Sequence, residues 1–125
     1  MITINIVNGP TLTANWTQGM NIQTAMEKAY DNQTGTFTYS LQYYGSTLGY
    51  LVTMINETYE SFVFKQGPFY FWEILLNGVI SNTGIDNTVL NDGDTVTFEF
   101  IPYVPGPITT ESTTHAKYDL IQKMS

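Results

Sequence analysis

The chain has 125 residues, 42% of them hydrophobic and 14% aromatic, which suits one domain with its own core and excludes a disordered segment. Lys+Arg number 4 against 11 Asp+Glu, a net charge of −7, and Lys28, Lys65, Lys117 and Lys123 stand singly, so a nucleic-acid or anionic-membrane surface is not expected. With no cysteine there is no disulfide frame, thiol nucleophile or cysteine-based zinc site, and no apolar run is long enough to span a membrane.

Ile2, Ile4 and Ile6 alternate with Thr3 and Asn5, the pattern of a half-buried first strand. Asn8-Gly9-Pro10 is turn chemistry, and Thr11 to Trp16 supplies a hairpin partner. GMNIQTAMEKAYDN then reads as the one clear core helix. Asn21 caps its start, Ile22, Ala25, Met26 and Ala29 form one apolar stripe, and Asn32 and Gly35 end it. GTFTYSLQYYG returns to alternation, with Phe37, Tyr39 and Leu41 set against Thr36, Thr38 and Ser40. GYLVTMI (49–55) is the next strand, a polar loop follows it, and FYFWEILL (69–76) comes after that. Asn77-Gly78 signals a hairpin, Val89-Leu90 leads into NDGD as a second one, and DTVTFEF closes the sheet with Val96, Phe98 and Phe100 facing in. The order predicts an α+β fold, a mostly antiparallel sheet packed on one helix, β-grasp-like. The domain is expected over 1–101. Residues 102–125, carrying Pro102, Pro105 and Pro107, read as a Pro/Thr-rich tail that no longer pairs in a sheet and docks on the domain or on a neighbour.

FYFWEILL is apolar on both faces. Tyr70, Trp72, Ile74 and Leu76 share one, while Phe69, Phe71, Glu73 and Leu75 share the other, broken only by Glu73. Leaving such a second face bare forfeits roughly 1.5–3 kcal/mol per large side chain. Three covers suit it: the chain's own Phe62-Val63-Phe64 loop or tail, another protein copy, or a flat ligand.

Candidates for catalysis are few. His115 is the sole histidine and lies in the tail, where no neighbour would orient it as a base. Asp86, Asp92 and Asp94 lack EF-hand spacing, and a turn accounts for Asp92-Gly93 without calcium. Glu57 and Glu60 read as loop residues, Glu99 as solvent-facing, and Glu73 as a carboxyl among apolar neighbours, where burial raises the pKa. No Gly-rich phosphate loop occurs. A non-enzyme without a cofactor or metal is expected. The Thr, Asn, Gln, Ser and Tyr-rich surface suits an extracellular, cell-surface or virion protein. MITINIVNG has no basic start followed by an apolar stretch, so no leader is expected there. Asn15, Asn32 and Asn56 head Asn-x-Ser/Thr sequons, which matter only in a glycosylating source.

NIQTAMEKAYD, GTFTYSLQYYGSTLGYLVTMI, FYFWEILLNG and VLNDGDTVTFEF, taken in that order, resemble the helix, central strand pair, Trp strand and closing hairpin of a known module. It is the C-terminal β-domain of the transcobalamin and intrinsic-factor family, which also occurs singly in bacterial surface proteins. In the vitamin carriers this domain closes over cobalamin. The resemblance implies ligand contacts at Asn56, Glu57 and Thr58 after the YLVTMI strand, and along the Trp strand at Phe71, Trp72, Glu73 and Ile74. The expected function is thus a non-catalytic binding module for cobalamin or a similar small molecule. A subunit of a surface or virion assembly, engaging further copies through its tail or apolar sheet face, is the alternative.

Overall fold

The computed structural model describes residues 1–32, 37–46, 48–60, 70–81 and 83–102. β1 (Ile2–Ile6) and β2 (Thr11–Ala14) form the first hairpin, with Ile2 opposite Ala14 and Asn5 opposite Thr11. Their alternation holds: Ile2, Ile4, Ile6, Leu12 and Ala14 are buried, and the threonines between them face away. The helix α1 (Ile22–Asn32) begins where Asn21 caps it, the Asn21 Oδ1 accepting the Thr24 N–H at 2.8 Å. Ile22, Ala25, Met26 and Ala29 are all buried on its inner stripe.

β8 (Thr95–Pro102) runs parallel to β1, placing Ile4 beside Val96 and Ile6 beside Phe98, and antiparallel to β6 (Tyr70–Leu76). With β7 (Val79–Ile80) at its edge the main sheet has the order β2-β1-β8-β6-β7. A hairpin, one helix over the sheet, and a last strand inserted parallel to the first make the topology β-grasp-like. Asn77 and Gly78, both at positive φ (51° and 82°), form the two-residue turn between β6 and β7.

A second sheet has the order β3-β4-β5, from β3 (Tyr39–Tyr43), β4 (Tyr50–Ile55) and β5 (Thr58–Tyr59), with a register shift at Ser40/Leu41. Leu51, Val52 and Ile55 join the α1 stripe, Phe37, Phe98 and Trp72 in one core. Burying each large side chain of that core contributes about 1.5–3 kcal/mol.

Two expectations are corrected, and the second face of β6 proves to be closed. NDGD turns the chain but joins no paired strands. The Leu90 N–H bonds the Met20 carbonyl, the Leu90 carbonyl takes the Trp16 indole, and Val89 makes only a lone bridge to Asn21. Backbone committed to the 16–21 segment cannot also ladder onto β8. Pro102 still belongs to β8, opposite Tyr70 at the strand's end, where a missing N–H is tolerated. The second face of β6 is also not bare. Phe71 is 2% exposed and Glu73 5%, as closed as Trp72 at 6% on the core side. Phe69, the Phe62-Val63-Phe64 loop and the tail from 103 onward, with His115, lie outside the described residues. Among the described residues no helix is long and apolar enough to cross a membrane.

Candidate functional site

β4 and β5 are joined by a two-residue turn, with Ile55 opposite Thr58. Asn56 and Glu57 both stand at positive φ, 47° and 70°, as a tight turn matched to strand twist requires. Asparagine tolerates this conformation well, and its side chain is occupied too: Asn56 Oδ1 accepts the Thr38 N–H at 2.8 Å, tying the tip to the start of β3. Glu57 follows with its side chain exposed, the Tyr59 hydroxyl donating to its Oε2 at 3.4 Å.

Two bonds join this hairpin to the Trp strand. The Trp72 indole N–H donates to the Thr58 carbonyl at 3.0 Å, and the Trp72 backbone N–H donates to Glu60 Oε2 at 2.9 Å. The Trp72 amide points away from β8, and the Glu60 carboxylate takes the place a neighbouring strand's carbonyl would fill. Glu60 lies just after β5, in a loop as read from the sequence, but it is 1% exposed and not solvated. Its hydrogen bonding is what allows a carboxylate at such depth. On the sheet, Phe100 contacts both Trp72 (centroids 5.0 Å) and Tyr70 (5.7 Å), a short aromatic row ending at the half-exposed Tyr70.

Tyr44 is held well above its ordinary pKa of 10.0, first by burial and then by the negative charge of Glu60. Burial likewise raises Tyr39, with Glu27 and Asp31 adding to it. The unfolded chain therefore ionises Tyr44 above about pH 10 while the folded chain keeps it neutral. Stability is complete below that pH and falls as pH rises through and beyond it. Urea midpoints measured upward from neutral pH are expected to drop in the alkaline range, and to drop less steeply in Tyr44→Phe.

The structure thus brings Thr58 and Trp72 into contact, with Asn56 and Glu57 one turn away at the tip. Asn56 is half-buried and Glu57 and Thr58 are exposed, whereas Phe71, Trp72, Glu73 and Ile74 are all buried. Tyr59 and Glu60 belong to the same constellation and were not singled out from sequence as ligand contacts. The polar run Asn56-Glu57-Thr58 hides a hairpin because its second turn position carries no glycine. Asp86, Asp92 and Asp94 are placed separately. Asp86 Oδ1 accepts the Tyr50 N–H, Asp92 pairs with the Met1 amino group, and Asp94 accepts from Asn77 and Asn91. Among the described residues no three metal-binding side chains stand together.

Among the described residues, one helix on a sheet whose first and last strands run parallel, with a polar hairpin tip bonded to a tryptophan strand, defines a β-grasp-like α+β domain. Over residues 19–101 the chain matches the DUF4430 family, described as a domain of unknown function, and it belongs to that family. The matched segment takes in the helix, the second sheet and the Trp strand, and leaves out the β1–β2 hairpin. No curated protein matches the chain.

Proposed function

We propose that this domain is a non-catalytic binding module whose recognition surface is the β4–β5 hairpin tip, with a corrinoid as its ligand. The observation that carries this reading is the 3.0 Å bond from the Trp72 indole to the Thr58 carbonyl. It couples the two segments that the likeness to transcobalamin-type β-domains assigns to the ligand. Asn56, Glu57, Thr58 and Tyr59 supply polar groups at the surface, and the buried Phe71, Trp72, Glu73 and Ile74 act as rigid backing. Rigid strands behind a few placed polar groups are what a small-molecule site needs. A corrinoid is flat and fringed with amides, so it offers donors and acceptors to such a tip. The net charge of −7 disfavours anionic ligands in its place.

The test is to mix the chain with cyanocobalamin at high micromolar protein, desalt, and read the colour retained. Retention that falls when Thr58 and Tyr59 are both replaced by alanine is expected. No retention would overturn the reading. If light scattering also grew with concentration, the function would pass to the alternative, an assembly subunit, which Val79 and Ile80, exposed on the outermost strand, favour.

A further inference from the structure

β3 stands at the edge of the second sheet, whose order is β3-β4-β5. The Tyr44 N–H bonds the Gly49 carbonyl and the Thr38 carbonyl takes the Asn56 N–H, so the even-numbered residues here turn their backbone groups toward β4. In an antiparallel pair the residues between them face the other way. The amides and carbonyls of Tyr39, Leu41 and Tyr43 therefore point outward, and among the described residues no strand pairs with them. Such edges are ordinarily blunted by shortness, proline, charge or a bulge. β5 and β7 have two residues each, whereas β3 has five, none charged and none proline. At its register shift the extra residue is Thr53 of β4, so the outer side of β3 stays regular. No charged residue occurs from 32 to 56, in a chain of net charge −7.

We infer that β3 pairs antiparallel with β3 of a second copy, about a two-fold axis at Leu41, joining two three-stranded sheets into one. The strand complements itself. Leu41 meets its own counterpart and Tyr39 of one copy meets Tyr43 of the other, so the outward residues exchange their N–H···O bonds. The aromatic rings fit the same register. Tyr39 touches Tyr30 (centroids 6.2 Å) and Tyr43 touches Tyr50 (4.9 Å). Setting Tyr39 beside the other copy's Tyr43, which is 53% exposed in the single chain, joins these pairs into one row. Two copies of like net charge repel over most of their surface, and this uncharged edge is where they can approach. A two-fold contact uses the edge on both copies, so association stops at two. It leaves β5, on the far side of the sheet, open, and it does not depend on the ligand proposed above.

The experiment is sedimentation equilibrium of the full chain from low to high micromolar concentration. Mass is expected to rise and level off at twice that of one chain. Ser40 of one copy lies opposite Gln42 of the other, and both side chains are exposed in the single chain, so charges placed there read the register. Ser40→Glu with Gln42→Glu sets like charges face to face and is expected to weaken the dimer about tenfold or more. Ser40→Lys with Gln42→Glu sets opposite charges there and is expected to hold the dimer as tightly as wild type or better. Damage to the fold would strike both variants alike, so the contrast between them is the signature. A wild-type chain that stays monomeric throughout overturns the inference. So does a dimer indifferent to both variants, which would place the contact elsewhere. Equal weakening by both overturns the register, and the inference with it. Mass that grows past two copies without limit overturns it too, and would favour the outermost strand at Val79 and Ile80.

Discussion

Trp72→Ala is expected to lower the stability of the domain by about 3–5 kcal/mol, a large share of what a domain of this size holds. The indole is 6% exposed and belongs to the same core as Ile74, Phe98 and the α1 stripe, with Phe100 packed at 5.0 Å. Alanine leaves a large cavity that strands locked on both sides cannot close. It also removes the indole N–H that holds the Thr58 carbonyl, freeing the hairpin tip from β6. The backbone N–H bond to Glu60 survives, so the second sheet is loosened rather than cut away. Trp72→Phe separates the two effects. It keeps most of the apolar volume and loses the indole bond, a net loss of about 0.5–1.5 kcal/mol on hydrogen-bond grounds plus the smaller ring's missing contacts. Urea denaturation of both variants gives the comparison, with Trp16 left as the fluorescent reporter. If Trp72→Ala proved nearly as stable as wild type, the tryptophan would not be core. On the binding-module proposal, corrinoid retention by Trp72→Phe is expected to weaken more than stability does, because the indole bond anchors the proposed recognition tip.

The first strand, the last strand and the helix were legible because each obeys a period. Ile2-Ile4-Ile6 and Val96-Phe98 show every second residue buried, and Ile22-Ala25-Met26-Ala29 shows the helical stripe. The Asn21 cap and the Asn77-Gly78 turn were legible because their chemistry is local, a side chain serving backbone within a few residues. The site was legible only in part. Trp72 was singled out on a strand apolar on both faces, but alternation cannot say whether a second face is open, since that depends on chain far away in sequence. The burial of Glu60 was not legible for the same reason. Its partner, the Trp72 amide, lies 12 residues on, and a glutamate followed by serine reads as solvated loop. The turn at Asn56-Glu57 was missed because its second position carries a residue that this backbone does not favour. NDGD erred the other way, a strong local turn signal whose flanking strand is claimed by the loop from Trp16 to Asn21.

The packing of two loops against each other was the least visible feature, and it yields the other large effect. Gly84→Ala is expected to destabilise by about 3 kcal/mol, the upper end for overpacking. A Cβ built on Gly84 falls 2.1 Å from the Leu48 carbonyl oxygen and 2.8 Å from that of Tyr50, both backbone atoms. Neither can retreat cheaply. The Tyr50 oxygen accepts the Ile85 N–H at 3.0 Å and the Tyr50 N–H donates to Asp86 Oδ1 at 2.8 Å, so the loop before β4 is pinned on both sides of the intruding methyl. The disturbance would spread to the helix start, because Asn21 donates to the Asp86 carbonyl and Ile22 to that of Thr88. Gly93→Ala is the control. A Cβ there meets nothing within 4 Å, and only its φ of +91° resists, a strain of about 1–2 kcal/mol. Gly84 needs glycine for space and Gly93 for its dihedral, so the two variants weigh contact against conformation in one fold. Thermal and urea unfolding of both chains reads the difference. A Gly84→Ala chain no less stable than Gly93→Ala would mean that Gly84 does not hold this close approach to Leu48 and Tyr50 in solution.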